Sequence, residues 1–390
     1  MSGRPSAFIT TMASFVTGVI DSAPVWRDRI GMLEPITLVA IIAVAAALTP
    51  ARLLVAQDAA TPRDRQLPVF VYDSVGDRLL LYGGLLGPNL EDIDPKTYAW
   101  RDGRWSVIAQ TGPRSRDDIA YGLDPRASTV VMFGGRGRPV PGGRPGAYRE
   151  TWRFDGTRWA LLDTLGPNGR AHSQGAFDVV RNRFVVFGGA DGAHANGPVT
   201  TDTWEWDGAK WTRFDTPGPP GRTGHVMAYD RAMKVVIVHG GVRNADRVAL
   251  TDTWAWDGER WRLLTMEGPR TIFGAAASAP DRGIIVFGGH TLDGKSNATW
   301  YWNGKAWRRV ATEGPAPAAR IFNALATDTR RRRVYMLGGG DNTGDGWRTY
   351  NDMWYLDADL RWVQLGLDER VKGSEILKFR RGEISRSLTP

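Results

Sequence analysis

Gly-Gly pairs recur six times along the chain, at Gly83-Gly84, Gly134-Gly135, Gly188-Gly189, Gly240-Gly241, Gly288-Gly289 and Gly338-Gly339. Their spacings are 51, 54, 52, 48 and 50 residues. A repeat of this length is one supersecondary unit that covers its apolar surface with its neighbours, so the period constrains the fold more than any single residue does.

The pairs share their surroundings. Each follows a short apolar run: LLLY, VVMF, FVVF, VVIVH, IIVF and VYML. After a polar loop comes a second signature, TYAWRDGRW from Thr97, TWRFDGTRW from Thr151, TWEWDGAKW from Thr203, TWAWDGERW from Thr253, TWYWNGKAW from Thr299 and MWYLDADLRW from Met353. Before each pair stands an arginine, at Arg65, Arg116, Arg170, Arg222, Arg270 and Arg320. One repeat therefore predicts four strands. Strand a follows the arginine, strand b ends at Gly-Gly, strand c carries the aromatic pair on one face, and strand d follows a tight Asp-Gly or Asn-Gly turn. Strand b is apolar on both faces and must be covered from above and below. Stacking one four-stranded sheet on the next around a ring does this and leaves only short edges. No long stretch has a helical period.

The expected fold is thus all-β, a six-bladed propeller with four antiparallel strands per blade. It would occupy residues 61–366, between an N-terminal extension (1–60) and a C-terminal tail (367–390). Of 17 tryptophans, 15 sit at repeat positions, where packing between blades accounts for them; Trp26 and Trp347 are the exceptions.

These motifs resemble the Kelch repeat over about three quarters of the chain. The resemblance implies a propeller with a central channel. It does not imply one function, because Kelch propellers serve as peptide readers, actin binders and enzyme scaffolds. Copper oxidases related to galactose oxidase need a Tyr–Cys crosslink, which a chain with no cysteine cannot form. Periplasmic sialic-acid mutarotase, an exported six-bladed Kelch enzyme, needs only acid–base and carboxylate-binding groups, and stands as the alternative function.

Because strands alternate in direction, the b–c loops and d–a connections share one face. The long b–c loops, at 136–150, 190–202, 242–252 and 340–352, are the expected recognition elements. In Kelch proteins that read acidic peptides, arginine at this place contacts ligand carboxylates. By that resemblance Arg116, Arg170, Arg222, Arg270 and Arg320 are candidate ligand-binding residues at the channel mouth, and a guanidinium fork suits a carboxylate. The competing reading is that an arginine repeated in every blade bonds backbone carbonyls and holds the scaffold. Trp347, Tyr148 and Tyr350 are loop aromatics that could stack on a sugar or peptide, or cover the loop base.

No catalytic residue, metal site or cofactor is assigned. Residues 289–296 match the phosphate-loop pattern GxxxxGK[ST], but a strand follows where a helix must present its amides. The five histidines lack zinc spacing, and the acidic clusters Glu91/Asp92/Asp94 and Asp341/Asp345 lack the ligand series of a calcium loop. The net charge is +8, with 43 Arg among 50 basic residues. Apart from Arg330–Arg333 the charges are interspersed and no nucleic-acid motif is present, so no nucleic-acid partner is expected. The expected partner is a protein or carbohydrate, bound by a monomer.

Ile36–Leu48 (ITLVAIIAVAAAL) suits the core of a signal peptide and is too short for a full membrane span. Arg27 and Arg29 precede it; Met32 is an alternative start. Read as a cleaved signal or as an uncleaved anchor, it puts the propeller outside the cytoplasm, whether periplasmic, secreted or membrane-anchored.

Overall fold

The computed structural model describes residues 61–86, 94–137, 146–192, 198–243, 248–311, 313–342 and 347–366. The N-terminal segment and the C-terminal tail lie outside them.

Six four-stranded antiparallel sheets are present, each in the order a-b-c-d. Blade 1 is Val69–Asp73, Arg78–Tyr82, Thr97–Arg101 and Arg104–Ala109; blade 2 is Ala120–Asp124, Thr129–Phe133, Thr151–Phe154 and Trp159–Asp163. Blade 3 is Gln174–Asp178, Arg183–Phe187, Thr203–Trp206 and Trp211–Phe214; blade 4 is Val226–Asp230, Val235–His239, Thr253–Trp256 and Trp261–Thr265. Blade 5 is Ala275–Ser278, Ile284–Phe287, Thr299–Trp302 and Trp307–Arg309; blade 6 is Ala324–Asp328, Arg333–Leu337, Met353–Leu356 and Trp362–Leu365. Each strand a packs beside that of the next blade, and that of blade 6 packs beside that of blade 1. The ring therefore closes with every blade built from consecutive strands.

The core is divided into six layers, one at each junction between blades. Strand b contributes to the layers on both sides, which is why its residues are buried on both faces. The tryptophan that opens strand d binds the preceding blade: Trp159 Nε1 donates to Thr97 Oγ1, Trp211 to Thr151, Trp261 to Thr203, Trp307 to Thr253 and Trp362 to Thr299, at 2.8–2.9 Å. Each indole thus buries its ring and satisfies its one donor across the junction. Blade 6 has Met353 in place of the threonine, and Trp105 packs in the same layer without that bond.

The a–b turns explain one irregularity. In blade 3, Asp178 at the end of strand a accepts the backbone N–H groups of Val180 and Arg181, each at 3.0 Å, over the turn 179–182. Asp73, Asp230 and Asp328 cap their turns in the same way. Blade 5 has Ala279 there and a turn one residue shorter, 280–282, closed by Ala279 N–H to Gly283 O at 2.9 Å. Gly283 takes a φ of 76°, and a Cβ there would collide with the Trp302 carbonyl oxygen.

Candidate functional site

Arg222 shows what the repeated arginine does. Its Nε donates to Pro220 O at 3.0 Å and its Nη1 to Gly240 O at 3.0 Å. Nη1 and Nη2 grip the two oxygens of Asp252 at 2.7 and 2.8 Å. The arginine side chain is 0% exposed and the aspartate 6%. Asp252 also accepts Trp254 Nε1 at 2.7 Å. The guanidinium thus runs outward over its own blade, from the start of strand a, past the first glycine after strand b, to the acid before strand c. Arg65 with Asp94, Arg116 with Glu150, Arg170 with Asp202 and Arg320 with Asp352 repeat the arrangement. In every case the arginine also bonds the carbonyl of the first glycine of the pair, 18 residues on.

This corrects the ligand-binding expectation for Arg116, Arg170, Arg222 and Arg320. Their guanidinium groups are buried and their charge is met within the protein. Burial alone would raise the carboxyls of Glu150, Asp202 and Asp252; the bonds and charge of the paired arginines outweigh it and hold all three below the ordinary carboxylate range.

Arg270 differs. Its distance to Gly288 is also 18 residues, but the shorter hairpin of blade 5 moves it one place out of register. Thr271 stands in the arginine position instead: its carbonyl accepts Gly241 N–H at 2.8 Å, as the Arg222 carbonyl accepts Gly189 N–H at 3.0 Å. Ala298 stands where the acid would be. Arg270 is exposed and makes no ion pair among the described residues.

The loop aromatics cover the locks. Tyr148 lies over the Arg116 guanidinium at 3.8 Å and is buried; Tyr350 lies over that of Arg320 at 4.0 Å and is partly exposed. Trp347 opens a short strand, Trp347–Thr349, that pairs with Gly340–Asn342. Similar ribbons occupy the b–c loops of the other blades from 2 to 5, beside the arginine locks in blades 2, 3 and 4. In blade 5 the ribbon is His290–Thr291 with Gly294–Lys295, so the segment matching the phosphate-loop pattern is a hairpin and presents no helix N-terminus. Lys295 pairs with Asp341. Among the described residues no group of three or more acidic or histidine side chains could hold a metal ion.

Sequence reasoning missed how the channel ends. Two residues past each lock position the backbone turns left-handed, at Leu67, Asp118, His172, Gly224, Phe273 and Phe322, with φ from 51° to 62°. Leu67 N–H donates to Phe322 O, Phe322 N–H to Phe273 O and Phe273 N–H to Gly224 O. The side chains form a collar: the Phe273 ring meets those of His172 and Phe322, each at 5.0 Å between ring centroids. His172 Nδ1 lies 2.6 Å from Asp118 Oδ2, and both residues are buried. Burial pushes the Asp118 carboxyl up, but the charge of His172 prevails and lowers it. The collar closes the channel on the loop face, where an open mouth was expected. A cavity of about 200 Å³ lies along the axis between the six inner strands and reaches the opposite face, at the a–b turns.

A family model described as the KLHDC2/KLHL20/DRC7 Kelch-repeats domain matches residues 198–375. Residues 198–375 thus match Kelch repeats, and the described residues fold as a β-propeller. A solved structure titled "Structure of YjhT" superposes on this propeller with a TM-score of 0.61 at 14% identity, covering 79% of this chain and 99% of that one. At that identity the likeness concerns the fold. No curated protein matches this chain significantly by sequence.

Proposed function

We propose that this propeller is a non-catalytic binding module, placed outside the cytoplasm, that takes an acidic or carbohydrate ligand on the loop face beside Arg270. The observation that carries the reading is the exception in blade 5. Four of the five candidate arginines are spent on their own blades, whereas Arg270 is displaced from the lock and points its charge to solvent. The segment after it is tied to ribbons on both sides, by Gly241 N–H to Thr271 O and Ile272 N–H to His290 O. Those ribbons expose Val248 (46%) and Leu292 (74%). An exposed cation beside a backbone segment tied to two ribbons with apolar tips suits a carboxylate on a body with some apolar surface.

The mutarotase alternative requires an acid and a base that a sugar can reach. The Asp118–His172 pair has the chemistry, but it is sealed in the collar, and the nearby Arg170 is neutralised by Asp202. That arrangement favours binding without turnover.

The test is a thermal-shift screen of the full chain against acidic sugars, neutral oligosaccharides and acidic peptides. A stabilising ligand whose effect disappears in Arg270→Ala, with the unliganded melting temperature unchanged, supports the reading. A ligand effect indifferent to Arg270, or conversion of one sugar anomer to the other by the protein, sinks it. Location is a separate question, answered by cell fractionation and by sequencing the mature N-terminus; a cytoplasmic protein with residues 1–60 intact refutes the export proposal. Among the described residues no helix is long and apolar enough to cross a membrane.

A further inference from the structure

The axial cavity holds a charge that no part of the loop-face reading uses. In five blades the residue after the end of strand a sits at the rim of the channel on the turn face. Ser74, Pro125, Val179 and Thr329 fill this place in blades 1, 2, 3 and 6, and all are uncharged. In blade 4 it is Arg231. Its Nε is buried and meets no acceptor, and no carboxylate pairs with it among the described residues. Asp230, next to it, turns Oδ1 to the backbone N–H groups of Ala232 and Met233. The contrast with Arg181, on the same face of blade 3, is direct: that guanidinium bonds Asp178 and both oxygens of Glu205. Burial pulls the Arg231 pKa down with no carboxylate to offset it, whereas the partners of Arg181 outweigh burial and raise its pKa.

Leaving a half-buried guanidinium unpaired costs free energy that a bound anion would recover. The rest of the cavity indicates what that anion carries. Tyr72, Tyr121, Phe177 and Met227 supply aromatic and apolar wall, and deeper along the axis the Gln174 amide has no hydrogen-bond partner among the described residues. Arg231 and tyrosines are the ionisable groups of the lining, which therefore has no acid–base pair. A volume of about 200 Å³ is below the range of about 300–1,000 Å³ typical of pockets for drug-sized ligands, so the occupant is a single small molecule.

We propose that the channel is a binding site for a small organic carboxylate with a flat, apolar body, which enters from the turn face, pairs with Arg231 and reaches towards Gln174. A carboxylate is favoured over a phosphate because one fork-shaped cation matches one carboxylate, while a phosphate brings more charge than this site answers. The site lies on the face opposite Arg270 and is independent of the loop-face proposal.

Titration calorimetry of the full chain with benzoate, and with benzamide as its neutral counterpart, tests this. Benzoate should bind with one-to-one stoichiometry and benzamide at least tenfold more weakly. Arg231→Gln should cost benzoate roughly tenfold or more, since losing a charge-assisted pair of this kind exceeds the equivalent of one decade in affinity. The Arg231 guanidinium makes no bond among the described residues and its unpaired burial is costly, so the variant should melt no lower than the parent; Gln174→Leu gives a second, independent loss. Arg270→Ala should leave benzoate binding untouched. No benzoate binding to the folded protein, equal binding of benzoate and benzamide, full binding by Arg231→Gln, or loss of binding in Arg270→Ala would each overturn the proposal.

Discussion

Thr271 and Ala298 stand in blade 5 at the two positions where blades 2, 3, 4 and 6 place an arginine and its acid. Both halves of the ion pair are absent together, which is what burial demands: a guanidinium in this site without its carboxylate, or the reverse, is an uncompensated buried charge.

Restoring one half should therefore hurt, and restoring both should help. Thr271→Arg and Ala298→Asp should each lower stability, and the double variant should recover at least about 1 kcal/mol of the summed loss, within the usual range for coupled neighbours. Urea unfolding of the four proteins measures the coupling. Strict additivity would mean that the two positions are not the lock positions of blade 5.

Breaking a native lock is the complementary case. Arg222→Ala leaves Asp252 buried without its cation, beside Trp254 and the Gly240 carbonyl. The loss should be about 3–5 kcal/mol, as for other buried pairs stripped of one partner. Arg270→Ala, which the sequence spacing makes look equivalent, should cost within about 0.5 kcal/mol, the usual range for an exposed substitution. Equal losses at the two positions would refute the assignment of Arg270 to the surface.

Two buried histidines set the acid response. Burial pushes the His225 pKa down to about 3, helped by the charge of Arg222, and burial brings that of His239 down to about 4. In the unfolded chain both titrate near 6.5. Between those values the unfolded state holds protons that the folded state refuses, so stability is complete above pH 6.5 and falls as the pH drops. Each histidine contributes up to about 1.4 kcal/mol per pH unit over its window. His225→Asn copies the residue that blade 6 has at this place, Asn323, and should flatten the fall between pH 6.5 and 4. Melts recorded across that range check this; an unchanged slope would show that His225 is protonated in the folded protein.

The blades themselves were legible because every level of the sequence agrees. The Gly-Gly period, the apolar strand b, the Trp-x-Trp pair of strand c and the Asp-Gly or Asn-Gly turn each predict the same four strands, and all six sheets are present. The direction of the repeated arginine was not legible from the arginine alone. The missing signal was in its partner: an acid directly precedes strand c at Glu150, Asp202, Asp252 and Asp352, but alanine does so at Ala298. Arg270 misled because sequence distance does not separate turn residues from strand residues, and only Ala279, in place of the capping aspartate, betrayed the shorter hairpin. The collar left no pattern at all. Leu67, Asp118, His172, Gly224, Phe273 and Phe322 have a backbone angle in common and no chemistry.

Because every blade is made of consecutive strands, no strand is shared between blade 6 and blade 1 among the described residues. Closing so long a loop costs about 5 kcal/mol of chain entropy for roughly 300 residues, before any contact rewards it. What holds the seam is its apolar layer together with a set of local bonds: Leu67 N–H to Phe322 O, Gly339 N–H to Arg65 O, and the fork of Arg331 on Asp77 at 2.6 and 2.8 Å. These contacts join the most distant parts of the chain, so forming them closes the longest loop. At the other five junctions a d–a connection also links the blades, so the junction between blades 6 and 1 is where the closed ring is expected to part first, with the rest of the fold still joined in sequence.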